Sequence, residues 1–151
     1  MALAEHDVAY DDPMVRALID EVQREYIERY GGRDETPVVD GEFGPPGGAF
    51  VVVTADGVPV GCGGLRRHDD RVAEIKRMYV RAAHRGRGHG RRLLDVLERR
   101  ARQLGYRRLM LETGTPQPEA IRLYTAAGYT PIARYGHYRC SPLSRCFAKD
   151  L

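Results

Sequence analysis

Between Val80 and Arg92 the sequence VRAAHRGRGHGRR gathers glycine and arginine in a pattern that suits an anion. Glycines at 86, 88 and 90 let the backbone come close to a ligand and turn successive N–H groups toward one point. Arg85, Arg87, Arg91 and Arg92 add positive charge, and His89 lies inside the turn, solvent-facing or near the anion. A helix beginning there would aim the positive end of its dipole at the same point. The residues describe a cradle for phosphate. Spacing excludes two common phosphate loops. Gly86 and Gly88 would need a third glycine where Arg91 stands, and no Gly-Lys-Ser/Thr follows.

The flanking patterns supply the elements that would hold this cradle. Val72, Ile75, Met78, Tyr79 and Val80 give the preceding segment strand character. Leu93, Leu94, Leu97, Ala101 and Leu104 then mark one face of a helix ending at Gly105. Upstream, 2–9 reads as an ambiguous first strand. Asp11 or Asp12 can cap a helix from Pro13, whose stripe is Val15, Leu18, Ile19, Val22, Tyr26 and Ile27. Residues 31–48 form a Gly-, Pro- and acid-rich loop, long enough to cover a substrate. Strands over 49–54 and 58–67 pair through a turn at Asp56-Gly57. Downstream come a strand at 107–113, a helix at 119–127 closed by Gly128, and strands at 129–135 and 144–148. The pattern predicts one α/β domain over 1–151, an antiparallel meander followed by a right-handed β-α-β crossover in a mixed sheet.

With its strand and helix, Arg85-x-x-Gly88-x-Gly90 resembles the [Q/R]-x-x-G-x-[G/A] pyrophosphate loop of the GNAT superfamily of N-acetyltransferases. Ala120, Leu123, Tyr124, Gly128 and Tyr129 match a second pattern of that superfamily, A-x-x-L-Y-x-x-x-G-[FY]. The resemblance spans roughly residues 49–135. It implies acetyl-CoA as co-substrate, its pyrophosphate on the amides of Arg85, Gly86, Arg87, Gly88, His89 and Gly90, with Arg91 in reach. It also implies that the strands ending at Val80 and Thr113 splay apart. The pantetheine arm would lie between them, hydrogen-bonded to the backbone of Met78, Tyr79 and Val80 as an added strand. One position departs: members often carry Asn three residues before the alanine, where this chain has Gln117.

The implied reaction moves an acetyl group from a thioester to a primary amine. An alkyl ammonium with pKa near 10.4 loses its proton at neutral pH at a cost of roughly 4–5 kcal/mol. A general base, or a pocket that depresses the amine pKa, must supply part of that. Glu74, in a segment similar to the one bearing the base in the histone-acetyltransferase branch, is a candidate; a surface carboxylate paired with Arg71 or Lys76 is the alternative. Alternation puts Glu74, Lys76 and Met78 on one face, opposite Ile75, Arg77 and Tyr79. Tyr124, at the superfamily's tyrosine position, can protonate the leaving thiolate, or can be a core tyrosine of an amphipathic helix. The Tyr79 backbone N–H can meet the developing oxyanion. Tyr135, Tyr138 and Arg139 are candidate acceptor contacts.

Composition limits the alternatives. Apolar residues make up 42% and charged residues 30%, the profile of a folded soluble domain. No apolar run suits a membrane span, and MALAEHDVAY lacks signal-peptide regions, so a cytoplasmic location is expected. Cys62, Cys140 and Cys146 fit no metal spacing and read as reduced thiols; the histidines have none either. From His84 to Arg108 nine arginines face only Asp95 and Glu98. That excess admits a nucleic-acid-binding module, although no aromatic residues interleave with it. Within the superfamily the alternative is an acyl-CoA sensor without turnover. The acceptor could be a small metabolite, a polyamine, an amino acid, an aminated antibiotic, or a protein N-terminus or lysine. The acidic pairs Asp34-Glu35 and Asp40-Glu42 hint at a cationic one. Superfamily members are often dimers, which makes a homodimer a candidate assembly.

Overall fold

β-Branched runs such as Phe50–Val53 pair into a sheet that helices cover on both faces. A computed structural model describes residues 2–151. Strands β1 (Leu3–Asp7), β2 (Ala49–Ala55), β3 (Val58–Arg67) and β4 (Val72–Val80) form the predicted antiparallel meander. Asp56 and Gly57 both have positive φ, the signature of a tight hairpin turn. Helix α1 (Pro13–Tyr30) lies between β1 and β2 in sequence. The Asp12 carboxylate caps it by accepting from Met14 N–H at 2.8 Å. Its Val15, Leu18, Ile19 and Val22 pack on Phe50, Val52, Cys62 and Tyr79, with Phe43 arriving from the long loop. Ile27 departs from the predicted stripe and is 45% exposed, whereas Tyr26 beside it packs against the cluster.

Helix α2 (His89–Gln103) crosses from β4 to β5 (Arg108–Gly114), which pairs parallel to β4. Leu93, Leu94, Leu97 and Ala101 of α2 are fully buried. Each such leucine stabilises the fold by about 1.5–3 kcal/mol. Two glycines of β3 permit that contact. A Cβ at Gly61 or Gly63 would come within 2.8 Å of a Leu93 or Leu97 methyl.

Helix α3 (Pro118–Ala126) packs Tyr124 and Ala127 into the α2 cluster. β6 (Thr130–Ile132) and β7 (Ser144–Asp150) complete a seven-stranded sheet, order β1-β2-β3-β4-β5-β7-β6. The strand expected at 129–135 is cut to three residues because the chain then leaves the sheet, and Tyr135 instead reaches Glu74.

One irregularity sets the geometry of the centre. Cys62 pairs with Tyr79 and Gly64 with Lys76, so two β4 residues oppose the single residue Gly63. Arg77 takes the extra position at φ 58°, a left-handed conformation that costs a non-glycine residue about 1–2 kcal/mol. The bulge overturns the alternation expected from sequence. Met78 packs with Ile75 on the α2 side, while Tyr79 joins the α1 cluster.

Candidate active site

β4 and β5 are paired only from Val72↔Arg108 to Ile75↔Leu111. Beyond that point β4 stays bound to β3 through Val80, and β5 stays bound to β7 through Gly114. Each strand is held on its outer edge, so the inner edges part, as the resemblance implied. A cavity of about 420 Å³ occupies the gap. Tyr26 and Tyr30 of α1 border it, as does Tyr124 of α3 from the opposite cluster. The first five residues of the long loop, Gly31–Glu35, form a wall.

The glycine-rich turn lies where β4 hands over to α2. Gly86 and Gly88 adopt φ of 77° and 81°, which glycine accepts without strain. Among the described residues, no hydrogen-bond acceptor serves the N–H groups of Gly86, Arg87, Gly88, His89, Gly90 or Arg91. The first bond of the helix is Arg92 N–H to Gly88 O. Six consecutive free donors at a helix N-terminus fit a pyrophosphate. Arg87 is exposed, and Arg91 is exposed beside Asp95 at 3.4 Å.

Three expected contacts differ. Arg85 turns away from the amides: it bonds Val80 O at 2.9 Å, pairs with Glu25 at 2.6 Å and stacks on the Tyr79 ring. Its side chain braces the turn against α1. His89 is buried rather than solvent-facing, and burial first, then His84, Arg92 and Arg87, push its pKa down. Gln117 borders the cavity, but its amide donates to the Tyr30 hydroxyl at 2.7 Å. That bond joins the start of α3 to the end of α1.

Tyr124 is buried, and its hydroxyl approaches Met78 Sδ at 3.8 Å. Burial raises its pKa above the ordinary phenol value, so it holds its proton. Glu74 sits outside the cavity lining. Its oxygens are held by Arg66 Nε at 2.7 Å and the Tyr135 hydroxyl at 2.8 Å, rather than by Arg71 or Lys76. The sequence reading missed Glu112, a cavity-lining carboxylate on the free edge of β5. One oxygen accepts from Ser144 Oγ at 3.1 Å. Burial raises its pKa, against the pull of Lys76.

Lys76 and Arg77 line the cavity at the bulge, and both face Asp34, at 3.7 and 3.2 Å. Gln23, buried in α1, pins that loop by bonding both the N–H and C=O of Asp34. Glu42 is likewise consumed, by Arg66 at 2.8 Å. The acidic loop therefore neutralises this chain's own cations, which removes much of the hint of a cationic acceptor. Tyr138 borders the cavity; Tyr135 serves Glu74, and Arg139 bonds Gly136 O at the surface.

No described helix is long and apolar enough to cross a membrane. Several arginines of α2 are also paired on the surface, Arg99 with Glu5 and Arg100 with Asp7.

Comparison with known proteins agrees with this geometry. The chain is 33% identical over 148 residues to an IAA acetyltransferase of Azospirillum brasilense, covering 95% of this chain and 97% of that one. A Klebsiella pneumoniae structure of the acyl-CoA N-acyltransferase type superposes with a TM-score of 0.82 at 31% identity, over 99% of this chain and 97% of that chain. A GNAT acetyltransferase from Elizabethkingia anophelis, solved with acetyl-CoA bound, shares the fold at a TM-score of 0.71 and 17% identity, over 99% and 98% of the two chains. The profile of the acetyltransferase (GNAT) family matches residues 15–129. The chain belongs to the GNAT family of acetyltransferases, enzymes that use acetyl-CoA as co-substrate.

Proposed function

We propose that this protein transfers the acetyl group of acetyl-CoA to a primary amine by direct attack, with Tyr124 as general acid and Glu112 as general base. The parting of β4 from β5 beside the unpaired amides of residues 86–91 carries the reading. Bound acetyl-CoA supplies an activated thioester carbon. The amides of Gly86 to Arg91 hold its pyrophosphate, and the open edge of β4 at Met78, Tyr79 and Val80 holds the arm. Glu112 accepts a proton from the incoming ammonium, leaving a neutral amine to form the new C–N bond. A backbone N–H on the open edge of β4 meets the charge that develops on the carbonyl oxygen. As the C–S bond breaks, Tyr124 gives its proton to the departing sulfur and is reprotonated by the nitrogen's second proton. The products are an N-acetyl amide and CoA thiol. Glu74, saturated by Arg66 and Tyr135 outside the cavity lining, takes no proton in this scheme.

The names of similar proteins point to different acceptors. Beside the IAA acetyltransferase stand N-acetylaspartate synthetases of rat and human, which this chain matches over 36% and 43% of their length. Calorimetry with acetyl-CoA, followed by an amine screen reporting released thiol, tests the reading. Binding without release from any amine supports a sensor. Absent CoA binding, with duplex-DNA affinity that falls steeply with salt, supports a nucleic-acid module.

A further inference from the structure

Two buried cations at the cavity share a single carboxylate. Lys76 and Arg77 have side chains only 8% and 5% exposed, and the nearest carboxylate to both is Asp34. Its Oδ2 is shared between them, while Oδ1 accepts from Thr36 N–H at 2.9 Å and Thr36 Oγ1 at 2.7 Å. Nη1 of Arg77 meets Asp34 at 3.2 Å without hydrogen-bond geometry, and Nε is buried with no partner. A guanidinium left short of acceptors in the interior is costly, and its planar fork matches a carboxylate. The bulge that turns Arg77 inward carries backbone strain, and such strain persists where a site depends on it. The remaining charges around the cavity are Arg33 and Glu35 on its exposed rim and Glu112 on β5. Glu112 forms no ion pair with Lys76 or Arg77. Cation and carboxylate thus face the same space from different strands without a direct ion pair between them.

From this juxtaposition we infer that the acceptor is an amino carboxylate, its carboxylate seated on Arg77 and Lys76 and its amino group presented to Glu112. The inference rests on the acetyltransferase reading above and narrows it from any primary amine to an amino acid. A zwitterion brings a second carboxylate to two cations that share one, and an ammonium to Glu112. A polyamine or lysine side chain would place cation against cation at β4, and a carboxamide would leave Lys76 and Arg77 with Asp34 alone.

The test uses the full chain, acetyl-CoA and matched probes: L-amino acids, β-alanine and 4-aminobutyrate, each beside its carboxamide and its decarboxylated amine. At least one acid should exceed its carboxamide in kcat/KM by about 10- to 100-fold, the worth of a charge-assisted pair. Arg77→Gln should bring that ratio toward one by raising the KM for the acid. Lys76→Met should lower it in the same direction, and serves if Arg77→Gln does not fold. Calorimetric titration with the preferred acid alone should show binding that its carboxamide lacks. Carboxamides or simple amines acetylated as well as the acids would overturn the inference and leave the acetyltransferase reading standing. Acetyl-CoA binding without acetylation of any probe or other amine would remove both.

Discussion

The Tyr124 hydroxyl stands 3.8 Å from Met78 Sδ, so α3 and the residue just past the β4 bulge meet at the opening between the strands. Sulfur is a weak acceptor, and this contact leaves the phenol free to donate elsewhere. Burial holds the proton on oxygen well above neutral pH. Tyr124→Phe keeps the ring packed against Tyr129 and removes only the donor. Turnover should fall about ten- to a thousandfold, within the span of a general acid, while acetyl-CoA affinity by calorimetry stays within twofold. Unchanged turnover across the pH range would take Tyr124 out of the chemistry.

Two neighbouring carboxylates should separate by phenotype. Glu112 has its pKa raised by burial first, so its basic form appears at higher pH than an ordinary glutamate's. The acidic limb of kcat/KM should therefore lie above the usual carboxylate range. Glu112→Gln should abolish that limb and lower kcat/KM by about 10²–10⁴. The same shift gives a sign for folding. A raised folded pKa contributes stability below the unfolded value and loses it as pH rises through the folded one. Glu112→Gln should thus be harmless or stabilising at neutral pH. Glu74→Ala should behave oppositely. It strips a partner from Arg66 and from Tyr135, at a cost of about 1–3 kcal/mol in urea unfolding. Its pH profile should keep the limb.

Local patterns made the strand, turn and helix from Val72 to Gly105 readable, because each depends on residues close in sequence. The glycine-rich turn heading α2 was legible for that reason, and so was a cap at Asp11 or Asp12, of which the structure uses Asp12. Glu112 was not. Its importance depends on β5 losing β4 as a partner after Leu111, a long-range event with no local signature. The bulge at Arg77 was hidden as well. Arginine rarely occupies positive φ, and the feature that selects it lies across the sheet at Gly63. Once that residue is inserted, every side chain after it changes face, so Met78 was assigned to the wrong side. Burial of His89 and the bracing role of Arg85 likewise follow from α1 and α2 closing on the turn.

The turn itself can be tested apart from catalysis. Gly88 at φ 81° has space for a methyl group but not the conformation. Gly88→Ala should cost about 1–2 kcal/mol of stability if the turn is kept. Because the relaxed alternative disperses the amides, acetyl-CoA affinity should fall by an order of magnitude or more. Arg91→Ala, by contrast, removes a half-exposed pair with Asp95 and should change stability by less than about 0.5 kcal/mol. Its loss in acetyl-CoA affinity should shrink as salt is added. An affinity unaffected by Gly88→Ala would dissociate these amides from the pyrophosphate.

Asp34 ties the loop, α1 and β4 together, and its charge should be visible in acid. Burial alone would push its carboxyl up, but Lys76, Arg77 and the Thr36 bonds outweigh that and hold it below the usual range. A folded pKa lower than the unfolded one contributes stability above the unfolded value, near 3.9, and loses it as pH falls through the folded one. Asp34→Asn preserves shape and much of the hydrogen bonding but leaves Lys76 beside Arg77 with no shared anion. At neutral pH the variant should unfold about 1–3 kcal/mol more easily. As pH falls through the lowered folded value the wild-type carboxylate is itself neutralised, so the gap in urea midpoints should narrow toward zero. Other carboxylates titrate in both proteins and cancel in that difference. A gap that stays constant with pH would mean that Asp34 acts through shape alone, and that Arg77 draws no charge compensation from the loop.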